Sequence, residues 1–418
     1  MGKRIIYQVL TRLWKNGKFS DWDSTSFKYL KSLSVTHIWF TGVPAHAVGE
    51  PFVKGDPGSP YSVSDWFDVN AYLADDPARR MQEFEALVRR AHRNGFKVLT
   101  DFIPNHVARS YEGPIPHFDY CDYDWTDTLK VDYSAPGCYE AMLEVLRFWA
   151  SKGVDGVRCD MVELVPREFF AWAIPKIRAE YPGFEFIGEV YRKENYRSYV
   201  QDLGFDLIYD KSGLYDTLRA IMVLPASTKG ITWNWQALTD LQPRMLNFLE
   251  NHDEQRLCSD AFLSGAERSI PALAVAALFN TASFLLYFGQ ELGENAAEAS
   301  DGRTSIFNWT RKISPVRLSK EQKSLLERYS TLLSTASEPL FSEGKNWDLG
   351  YCNVGSEGYD PNRHFSFLRY AGDECCLVVC NFTDEQASPL VRIPEVENFP
   401  AREERVEVAP WDYTIVKL

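Results

Sequence analysis

Eight short apolar runs, rich in β-branched and aromatic residues, recur along the first 290 residues of the chain. They lie at residues 5–11, 37–43, 97–103, 156–161, 184–191, 206–210, 245–250 and 283–289. Between them, segments such as 81–94 and 139–152 repeat apolar residues at three- and four-residue spacing, which predicts amphipathic helices. Eight alternating strand and helix units predict an α/β fold of the (β/α)8 TIM-barrel type.

An open sheet with helices on both faces is the alternative arrangement of the same pattern. That arrangement is typical of nucleotide-binding proteins, in which a glycine-rich phosphate loop follows a strand. None of the eight runs is followed by such a loop. The closed barrel is therefore favoured.

The pattern changes at two places along the chain. Residues 107–137, after the third predicted strand, have no clear period and are rich in Tyr, Asp and Pro, so we expect a small subdomain over a cleft. After a helix predicted at 320–335, short alternating runs indicate an antiparallel β-sandwich. The predicted domains are the barrel at 1–106 and 138–330, the inserted subdomain at 107–137 and the sandwich at 331–418.

Composition narrows the kinds of partner. The 418 residues are 45% hydrophobic, which is enough for one large core and a smaller domain, and a net charge of −13 argues against a nucleic-acid partner. The longest apolar stretch, 272–288, is interrupted by Asn280, Thr281 and Ser283. It therefore predicts a helix followed by a buried strand, and no membrane partner is expected. The sequence leaves the oligomeric state open.

The cysteines and the first residues bear on cellular location. Eight cysteines are scattered without the spacing of metal ligands, which favours reduced thiols. The chain enters its first predicted strand within a few residues of Met1, without the pattern of a signal peptide. A cytoplasmic protein is expected. An exported protein whose signal segment is absent from this sequence would look the same.

Polar side chains lie at the carboxyl ends of four of the predicted strands. Because the carboxyl ends of barrel strands meet at one mouth, these side chains are expected to converge there. They are Asp101, Asn105, His106, Arg158, Asp160, Glu189, His252 and Asp253. Three of these carboxylates, those of Asp160, Glu189 and Asp253, are with one arginine and two histidines the groups suited to cleaving a glycosidic bond.

Each residue type suits a step of that chemistry. Arg158 and Asp160 are two apart on a strand and share a side, so the guanidinium is expected to hold the carboxylate ionised, as a nucleophile requires. Glu189 lies in an apolar setting near negative charge, which is expected to raise its pKa and suit it to act as a general acid. Asp253 would stabilise positive charge in the transition state. His106 and His252 would donate hydrogen bonds to sugar hydroxyls.

Taken singly, these motifs are weak evidence. An Asp-x-x-x-Asn-His segment is more often a loop cap, and an Arg-x-Asp pair is more often a structural ion pair. Four such clusters in order, each closing a predicted strand, argue for a site. A catalytically inactive sugar-binding protein is the alternative from another functional class. It is disfavoured because all three carboxylates are present.

The four segments resemble the signature regions of the α-amylase family, retaining glycoside hydrolase family 13. Residues 35–41, 61–65, 286–291 and 302–309 resemble further segments of that family, so the resemblance covers nearly the whole chain. It implies that Asp160 is the nucleophile, Glu189 the acid/base and Asp253 the stabiliser of the transition state. It also implies a set of substrate-binding residues at the cleavage site: Tyr61, Asp101, His106, Arg158 and His252.

The substrate implied by the resemblance is an α-glucan. The expected reaction is hydrolysis of α-1,4-glucosidic bonds in starch or maltooligosaccharides through a covalent glucosyl-enzyme. A glucosyltransferase and an α-glucosidase of α-1,4 or α-1,6 specificity stay open as alternatives within the family. A retaining mechanism predicts that the Asp160 and Glu189 carboxyl groups lie about 5–5.5 Å apart.

Some residues depart from the family pattern. Many members bind a structural calcium ion at the asparagine that matches Asn105, but Lys130 stands where an aspartate ligand is expected. We therefore expect no metal and no cofactor. Glu163-Leu164 replaces a Lys-His pair of typical endo-amylases, which implies different leaving-group subsites. Trp66, Trp233 and Trp235 are expected either to stack against sugars outside the cleavage site or to pack in the core.

Overall fold

Eight parallel strands form a closed barrel in the computed structural model, which describes residues 2–223, 226–299 and 301–418, with only the backbone of Thr239. Each strand pairs with the next around the ring, and the last pairs with the first. The strands are β1 (Ile5–Leu10), β2 (His37–Thr41), β5 (Lys97–Phe102), β8 (Gly156–Cys159), β9 (Glu185–Gly188), β10 (Leu207–Tyr209), β11 (Met245–Phe248) and β12 (Ser283–Tyr287). The predicted TIM barrel is confirmed, and the open-sheet alternative is wrong.

Helices follow the strands and pack around the barrel. The helix predicted at 81–94 is observed at Arg80–Arg93, and the helix predicted at 139–152 at Cys138–Ser151. The helices are α1 (Ser24–Ser32), α2 (Arg80–Arg93), α3 (Cys138–Ser151), α4 (Arg167–Glu180), α5 (Lys193–Gln201), α6 (Asp216–Val223), α7 (Lys229–Leu238), α8 (Ile270–Leu278), α9 (Lys320–Ser337) and α10 (Pro339–Ser342). The apolar stretch 272–288 is a helix and a strand, as predicted. None of the described helices has the length and apolarity needed to cross a membrane.

The predicted strands extend too far at their carboxyl ends. The run predicted at 184–191 stops pairing at Gly188, and the run predicted at 245–250 stops at Phe248. Beyond these points the chain continues as loops. In these loops the apolar residues Val190 and Leu249 are buried beside the acidic residues Glu189 and Glu250. The polar residues that close the runs therefore lie just above the strands.

Two hydrophobic layers hold the barrel. Side chains inside the ring, including Trp39, Leu99 and Leu246, form one buried cluster. Side chains on the outer face pack with the helices in a much larger cluster. Strands buried on both faces read as continuous apolar runs, which is why they were recognisable in the sequence.

Short two-stranded sheets project from the carboxyl end of the barrel. One pairs β3 (Pro44–His46) with β4 (Val63–Val69), and another pairs β6 (His106–Ala108) with β7 (Thr128–Lys130). The second sheet lies mostly within the segment predicted as an insertion. It places the loop that follows β5 beside the barrel mouth.

The carboxyl-terminal part is antiparallel. A four-stranded sheet contains β13 (Lys345–Asp348), β14 (His364–Ala371), β15 (Glu374–Asn381) and β18 (Asp412–Lys417), and β16 (Leu390–Ile393) pairs with β17 (Arg402–Arg405). These strands have a hydrophobic core of their own, which confirms the predicted β-sandwich. The limits at residues 106, 137 and 330 stay predictions.

Candidate active site

A cavity of about 560 Å³ opens at the carboxyl ends of the barrel strands. Six of the eight predicted site residues line it: Tyr61, His106, Asp160, Glu189, His252 and Asp253. The other two, Asp101 and Arg158, lie buried behind this lining and contact it. All eight residues are therefore brought together, although 192 positions separate Tyr61 from Asp253.

Arg158 is the electrostatic centre of the cluster. Its side chain is 0% exposed, and its guanidinium forms ion pairs with both Asp160 and Glu189, the latter at 2.8 Å. Asp101 and Asp253 lie further away, at 3.9 and 4.0 Å. Burial alone lowers the pKa of Arg158, but Glu189 and the other negative neighbours raise it well above the usual value. Arg158 therefore stays charged and orients two carboxylates at once.

Three aromatic rings surround the same guanidinium. The rings of Trp39, Tyr61 and Tyr209 have their centroids 5.5–5.6 Å from its central carbon. Rings at this distance stabilise a buried cation through their negative faces. Trp39 and Tyr209 come from the second and sixth barrel strands, and nothing in the sequence identified them as partners of Arg158.

Glu189 accepts hydrogen bonds at both carboxylate oxygens. The backbone N–H of Met161 donates to Oε2 at 2.8 Å, and the hydroxyl of Tyr191 donates to Oε1 at 2.8 Å. Burial raises the pKa of Glu189, and so does the negative charge of Asp160. Together these two effects outweigh the opposing effect of Arg158. The glutamate therefore holds a proton to higher pH than an exposed one, as the sequence predicted.

Met161 has a left-handed backbone conformation, with φ of +45°. A residue with a Cβ is rarely found there, and such strain costs about 1–3 kcal/mol. The turn directs the Met161 N–H at Glu189 immediately after Asp160 in the chain. The strained residue therefore lies between the two carboxylates: it directly follows Asp160, and its N–H orients Glu189.

Tyr191 is held by a second carboxylate. Glu163 Oε2 accepts from the backbone N–H groups of Tyr191 and Arg192 at 2.9 and 3.2 Å, and Oε1 accepts from Asn195 Nδ2 at 2.5 Å. Glu163 therefore fixes the loop before α5 and, through it, the tyrosine that binds Glu189. This contact gives a structural reason for the acidic residue at position 163.

His252 is oriented by Gln8. The Gln8 amide N–H donates to Nδ1 at 2.8 Å, so the ring proton lies on Nε2, which is 2.6 Å from the Tyr61 hydroxyl and 3.0 Å from Asp253 Oδ2. Burial, with Arg158 nearby, lowers the pKa of His252 well below the usual value. The neutral ring thus carries one N–H at the cavity, suited to a sugar hydroxyl.

Tyr61 and His106 line the cavity beside His252. The Tyr61 ring is nearly parallel to that of His252, with centroids 5.0 Å apart and planes at 16°. Burial lowers the pKa of His106 to about 4, so it too is neutral. A flat phenol face beside two neutral imidazoles offers one stacking surface and two hydrogen-bond donors or acceptors, which suits an uncharged, hydroxyl-rich ligand.

Two further acids have raised pKa values. Burial raises the pKa of Asp101 to about 7, against the opposing effect of Arg158. Burial and the negative charge of Glu189 also raise the pKa of Asp253. Carboxyl groups that hold a proton near neutral pH can both donate to and accept from hydroxyl groups.

Asn105 and Lys130 meet at Asp122. Lys130 Nζ contacts Asp122 Oδ1 at 2.9 Å, and Asn105 Nδ2 donates to Asp122 Oδ2 at 3.0 Å. Burial raises the pKa of Asp122, but these hydrogen bonds outweigh it and lower the pKa below the usual value. Both oxygens are thus occupied by donors, an arrangement that does not fit a calcium ion. Within the described ranges, no cluster of three or more His, Cys, Asp or Glu residues suits a metal.

We therefore expect the stability of the protein to be independent of calcium. Neither EDTA nor added CaCl2 should change Tm by more than about 1 °C, because the Lys130 ammonium supplies the positive charge beside Asp122. Lys130→Ala should lower the free energy of unfolding by about 1 kcal/mol. Differential scanning calorimetry checks both results, with Lys152→Ala as a control for a similarly exposed ion pair, to Glu85. A fall of 5 °C or more in EDTA would contradict this expectation.

The three tryptophans named as candidate sugar platforms have different environments. Trp66 is fully buried, and Trp235 is partly buried and packs against Phe279. Neither residue lines the cavity. Trp233 is 67% exposed but does not line the cavity. A tryptophan that does line the cavity is Trp125, whose ring lies beside that of His106 at a centroid distance of 5.2 Å. Sequence position alone could not separate these cases, because exposure depends on the helices that pack outside the barrel.

Three loops meet at one side of the cavity. Lys54 lies 3.3 Å from Asp127 Oδ1 in the inserted segment and 5.8 Å from the centroid of the Phe307 ring in the loop after β12. Gly55 approaches the backbone of Phe307 so closely that a Cβ would lie 1.7 Å from its carbonyl oxygen. These contacts hold the three loops together along one side of the cavity and narrow it there.

The sequence is similar to the catalytic domain of α-amylases. The model of the family described as "Alpha amylase, catalytic domain" matches residues 24–127 and 117–328. The chain is 27% identical to α-amylase MalA of Haloarcula japonica, over 98% of this chain and 58% of that protein, and 22% identical to neopullulanase 2 of Thermoactinomyces vulgaris, over 88% and 63%. It is 23% identical to α-amylase 3 of Dictyoglomus thermophilum, over 73% and 67%. The chain thus spans about three fifths to two thirds of the length of these relatives.

Solved structures show the same fold. A crystal structure of an α-amylase from Lactobacillus plantarum superimposes with a TM-score of 0.76 at 21% identity, covering 99% of this chain and 98% of that one. A cyclic α-maltosyl-(1→6)-maltose hydrolase from Arthrobacter globiformis gives a TM-score of 0.76 at 15% identity, with the same coverage. The barrel and the antiparallel carboxyl-terminal part are therefore shared as one arrangement.

Proposed function

The chain belongs to the family of α-amylase catalytic domains, and on that premise we propose that it is a retaining glycoside hydrolase that cleaves α-1,4-glucosidic bonds in maltooligosaccharides or starch. The observation that carries the proposal is the ion pairing of one buried guanidinium, Arg158, with both Asp160 and Glu189. Both carboxylates also line the cavity at the barrel mouth. This is the acid and nucleophile pair that glycoside cleavage requires.

In the first step, Asp160 attacks the anomeric carbon while Glu189 donates its proton to the glycosidic oxygen. The bond from the anomeric carbon to that oxygen breaks, and the leaving sugar departs with a new hydroxyl group. An ester joins Asp160 to the remaining sugar. The raised pKa of Glu189 supports its role as the acid, since the proton must be present before the step begins.

In the second step, the ionised Glu189 takes a proton from water. The water oxygen attacks the anomeric carbon, the ester breaks, and Asp160 leaves as a carboxylate. Two inversions give net retention of configuration. Two carboxylates that share one guanidinium lie close together, and the spacing of about 5–5.5 Å expected for retaining enzymes stays a prediction.

The remaining residues would bind the sugar at the cleavage site. Tyr61 would stack under the ring, and His106 and His252 would bind its hydroxyl groups as neutral imidazoles. Asp253 would form hydrogen bonds that strengthen as the ring gains positive charge in the transition state. Asp101, which the Tyr61 hydroxyl contacts at 3.5 Å, would hold the stacking ring in place.

The test is the time course of products from maltoheptaose, with Asp160→Asn as the blank. Early maltooligosaccharides of intermediate length that are absent from the blank would support α-1,4 hydrolysis within the chain. NMR of the first product should show the α-anomer, whereas the β-anomer would overturn the retaining mechanism. An absence of turnover on maltoheptaose and starch would overturn the proposed substrate class.

Transfer to a second sugar is the other candidate. The chain is 22% identical to a cyclomaltodextrin glucanotransferase of Bacillus sp., over 79% of this chain. Hydrolysis and transfer share the glucosyl-enzyme and differ in whether water or a sugar hydroxyl releases it. Products longer than maltoheptaose in the same time course would favour transfer.

Tyr191→Phe should shift the basic limb of the pH–activity profile to higher pH. The Tyr191 hydroxyl donates to Glu189 Oε1 and so favours the ionised carboxylate. Without that donor the pKa of Glu189 rises, so the proton needed for acid catalysis persists to higher pH. We also expect kcat to fall about 3- to 10-fold, which corresponds to the free energy of one lost hydrogen bond in the transition state.

The control is Tyr199→Phe. In the parent, the Tyr199 hydroxyl donates to the Val162 carbonyl at 3.0 Å and does not contact Glu189. This variant therefore removes a nearby buried hydroxyl and leaves the hydrogen bonds of Glu189 in place. Measurement of kcat/KM from pH 4 to pH 9 compares the two variants. Equal profiles would mean that the Tyr191 hydrogen bond does not act on the proton of Glu189.

A further inference from the structure

Lys211 and Glu254 are charged residues that line the cavity but take no part in the two proposed chemical steps. Lys211 begins a π-helical turn, Lys211–Tyr215, between β10 and α6. Glu254 directly follows Asp253 in the chain. Short π-helical segments are frequent at functional sites. The pair is therefore a candidate for direct contact with the substrate.

The proton of Glu189 indicates where the leaving sugar departs. Glu189 Oε2 accepts from the Met161 N–H and lies 2.8 Å from Arg158 Nη2, so two donors already face it. The proton that the acid donates is therefore on Oε1. Oε1 lies 2.8 Å from the hydroxyl of Tyr191, which lines the cavity. The glycosidic oxygen that takes the proton thus lies near Tyr191, and the leaving sugar extends from there.

Lys211 and Glu254 lie on this same side of the barrel mouth. In the ring of strands, β10 stands between β9, which precedes Glu189, and β11, which precedes Asp253. Lys211 follows β10 and contacts Glu254, so the pair joins the loops after β10 and β11. Burial raises the pKa of Tyr191, and so do the negative charges of Glu189 and Asp253, which means that both loops lie close to this tyrosine. A sugar that leaves from Glu189 past Tyr191 therefore faces the pair.

Neighbouring side chains hold Lys211 and Glu254 in place. Lys211 Nζ lies 2.8 Å from Asp216 Oδ1, 3.3 Å from Glu254 Oε1 and 4.7 Å from the centroid of the Tyr215 ring. The Tyr215 hydroxyl donates to Glu254 Oε2 at 2.8 Å. The side chains of Lys211 and Glu254 are only 19% and 12% exposed. Both groups are thus oriented before a substrate binds.

The pair presents a hydrogen-bond donor and an acceptor side by side. Within the described part of the chain, one donor contacts each oxygen of Glu254: Lys211 at Oε1 and Tyr215 at Oε2. A carboxylate oxygen can accept two hydrogen bonds, so each has capacity for one more. A sugar hydroxyl both donates and accepts. One that accepts from Lys211 and donates to Glu254 therefore satisfies both groups.

The charges around the pair favour an uncharged leaving group. Two carboxylates, those of Asp216 and Glu254, flank the single ammonium group of Lys211. Among the described residues that line the cavity, the other lysine and the arginine each face a carboxylate as well, in the pairs Lys54–Asp127 and Arg303–Asp301. A phosphate or carboxylate on the leaving group would be repelled here, whereas neutral hydroxyl groups would be bound.

We propose that Lys211 and Glu254 bind hydroxyl groups of the leaving sugar and thereby select a neutral sugar as the leaving group. The inference rests on the proposed function, because it assigns the side of the cleavage site that Glu189 protonates. The hydrogen bonds hold the leaving sugar while its bond to the anomeric carbon breaks. They are not made when the leaving group has no hydroxyl groups.

The experiment compares two substrates that differ in what leaves. Every bond cleaved in maltotetraose releases a sugar, whereas α-maltotriosyl fluoride releases fluoride, which has no hydroxyl groups. An assay of new reducing ends and a fluoride electrode give kcat/KM for the two reactions. The readout is the ratio of kcat/KM on maltotetraose to kcat/KM on the fluoride. A loss that affects both substrates alike cancels in this ratio.

Lys211→Met and Glu254→Gln should each lower the ratio at least about tenfold, the effect of one lost hydrogen bond to a charged group. Glu254→Gln keeps an oxygen for the Tyr215 hydroxyl, so it tests the pair even if Lys211→Met does not fold. The matched control is Lys54→Met. Lys54 also lines the cavity and lies 3.3 Å from a carboxylate, that of Asp127, but it is in the loop after β2. The control should leave the ratio within about twofold of the parent.

Ratios within twofold of the parent in both variants would overturn the inference, even if both activities fall. The pair would then act on the fold or on Asp253 and not on the leaving sugar. An equal fall of the ratio in Lys54→Met would overturn it too. In either case a parent that cleaves maltoheptaose leaves the proposed function standing. A parent that is inactive on maltoheptaose and on the fluoride would overturn both.

Discussion

Asp160→Asn is expected to lower kcat at least about 10⁴-fold on maltoheptaose while the protein keeps its fold. The amide has the same shape as the carboxylate but is a very poor nucleophile, so the glucosyl ester cannot form at a useful rate. The Arg158 guanidinium keeps its ion pair with Glu189 at 2.8 Å, and therefore the buried positive charge still has a partner. Tm should change by only a few degrees.

The control for this prediction is Asp210→Asn. Asp210 is also buried at the carboxyl end of a barrel strand, where it accepts from Asn234 Nδ2 at 3.0 Å, but it does not line the cavity. We expect kcat to stay within about tenfold of the parent. Steady-state kinetics and circular dichroism measure both variants. A kcat above about 1% of the parent for Asp160→Asn would contradict the nucleophile assignment.

The barrel was predictable because its strands are buried on both faces. Such strands appear as continuous apolar runs, and the polar residues that close them are visible by contrast, as with Asp160 after β8 and Glu189 after β9. In a closed barrel the carboxyl ends converge by geometry alone. The convergence of Asp101, Arg158 and Asp253 therefore followed from the pattern.

The partners that orient these residues were not predictable. Gln8 is an isolated polar residue in the first strand, and its contact with His252 depends on the closure of the barrel between β1 and β11 through β12. Tyr191 continues an apolar run, and only the turn after Gly188 directs its hydroxyl back to Glu189. These contacts depend on loop conformations that have no periodic signal in the sequence.

Arg158→Met is expected to lower kcat/KM at least about 10³-fold and the free energy of unfolding by about 3–5 kcal/mol. Methionine fills similar space but leaves Asp101, Asp160 and Glu189 buried without the positive charge that all of them face. Arg158→Lys keeps the charge. Because an ammonium group cannot span two carboxylates as the planar guanidinium does, it should recover much of the stability but little of the activity.

The loss of stability in Arg158→Met should depend on pH. Burial already raises the pKa of Asp101 to about 7 and also raises that of Glu189, and Arg158 limits both shifts. Removing Arg158 raises both values further. A carboxyl group with a higher pKa in the folded than in the unfolded chain loses its stabilising effect as pH rises through the folded value. Urea unfolding should therefore show a larger deficit at pH 8 than at pH 5.

Arg256→Met separates loss of a buried charge from loss of the catalytic pair. Arg256 is also fully buried and lies 3.0 Å from Glu250 Oε2, but neither residue lines the cavity. We expect a similar loss of stability with kcat within about tenfold of the parent, measured where the variant is folded. If Arg158→Met gives that same result, Arg158 is only a structural ion-pair partner. A collapse of kcat confined to Arg158→Met means that its guanidinium holds nucleophile and acid in the geometry that the reaction needs.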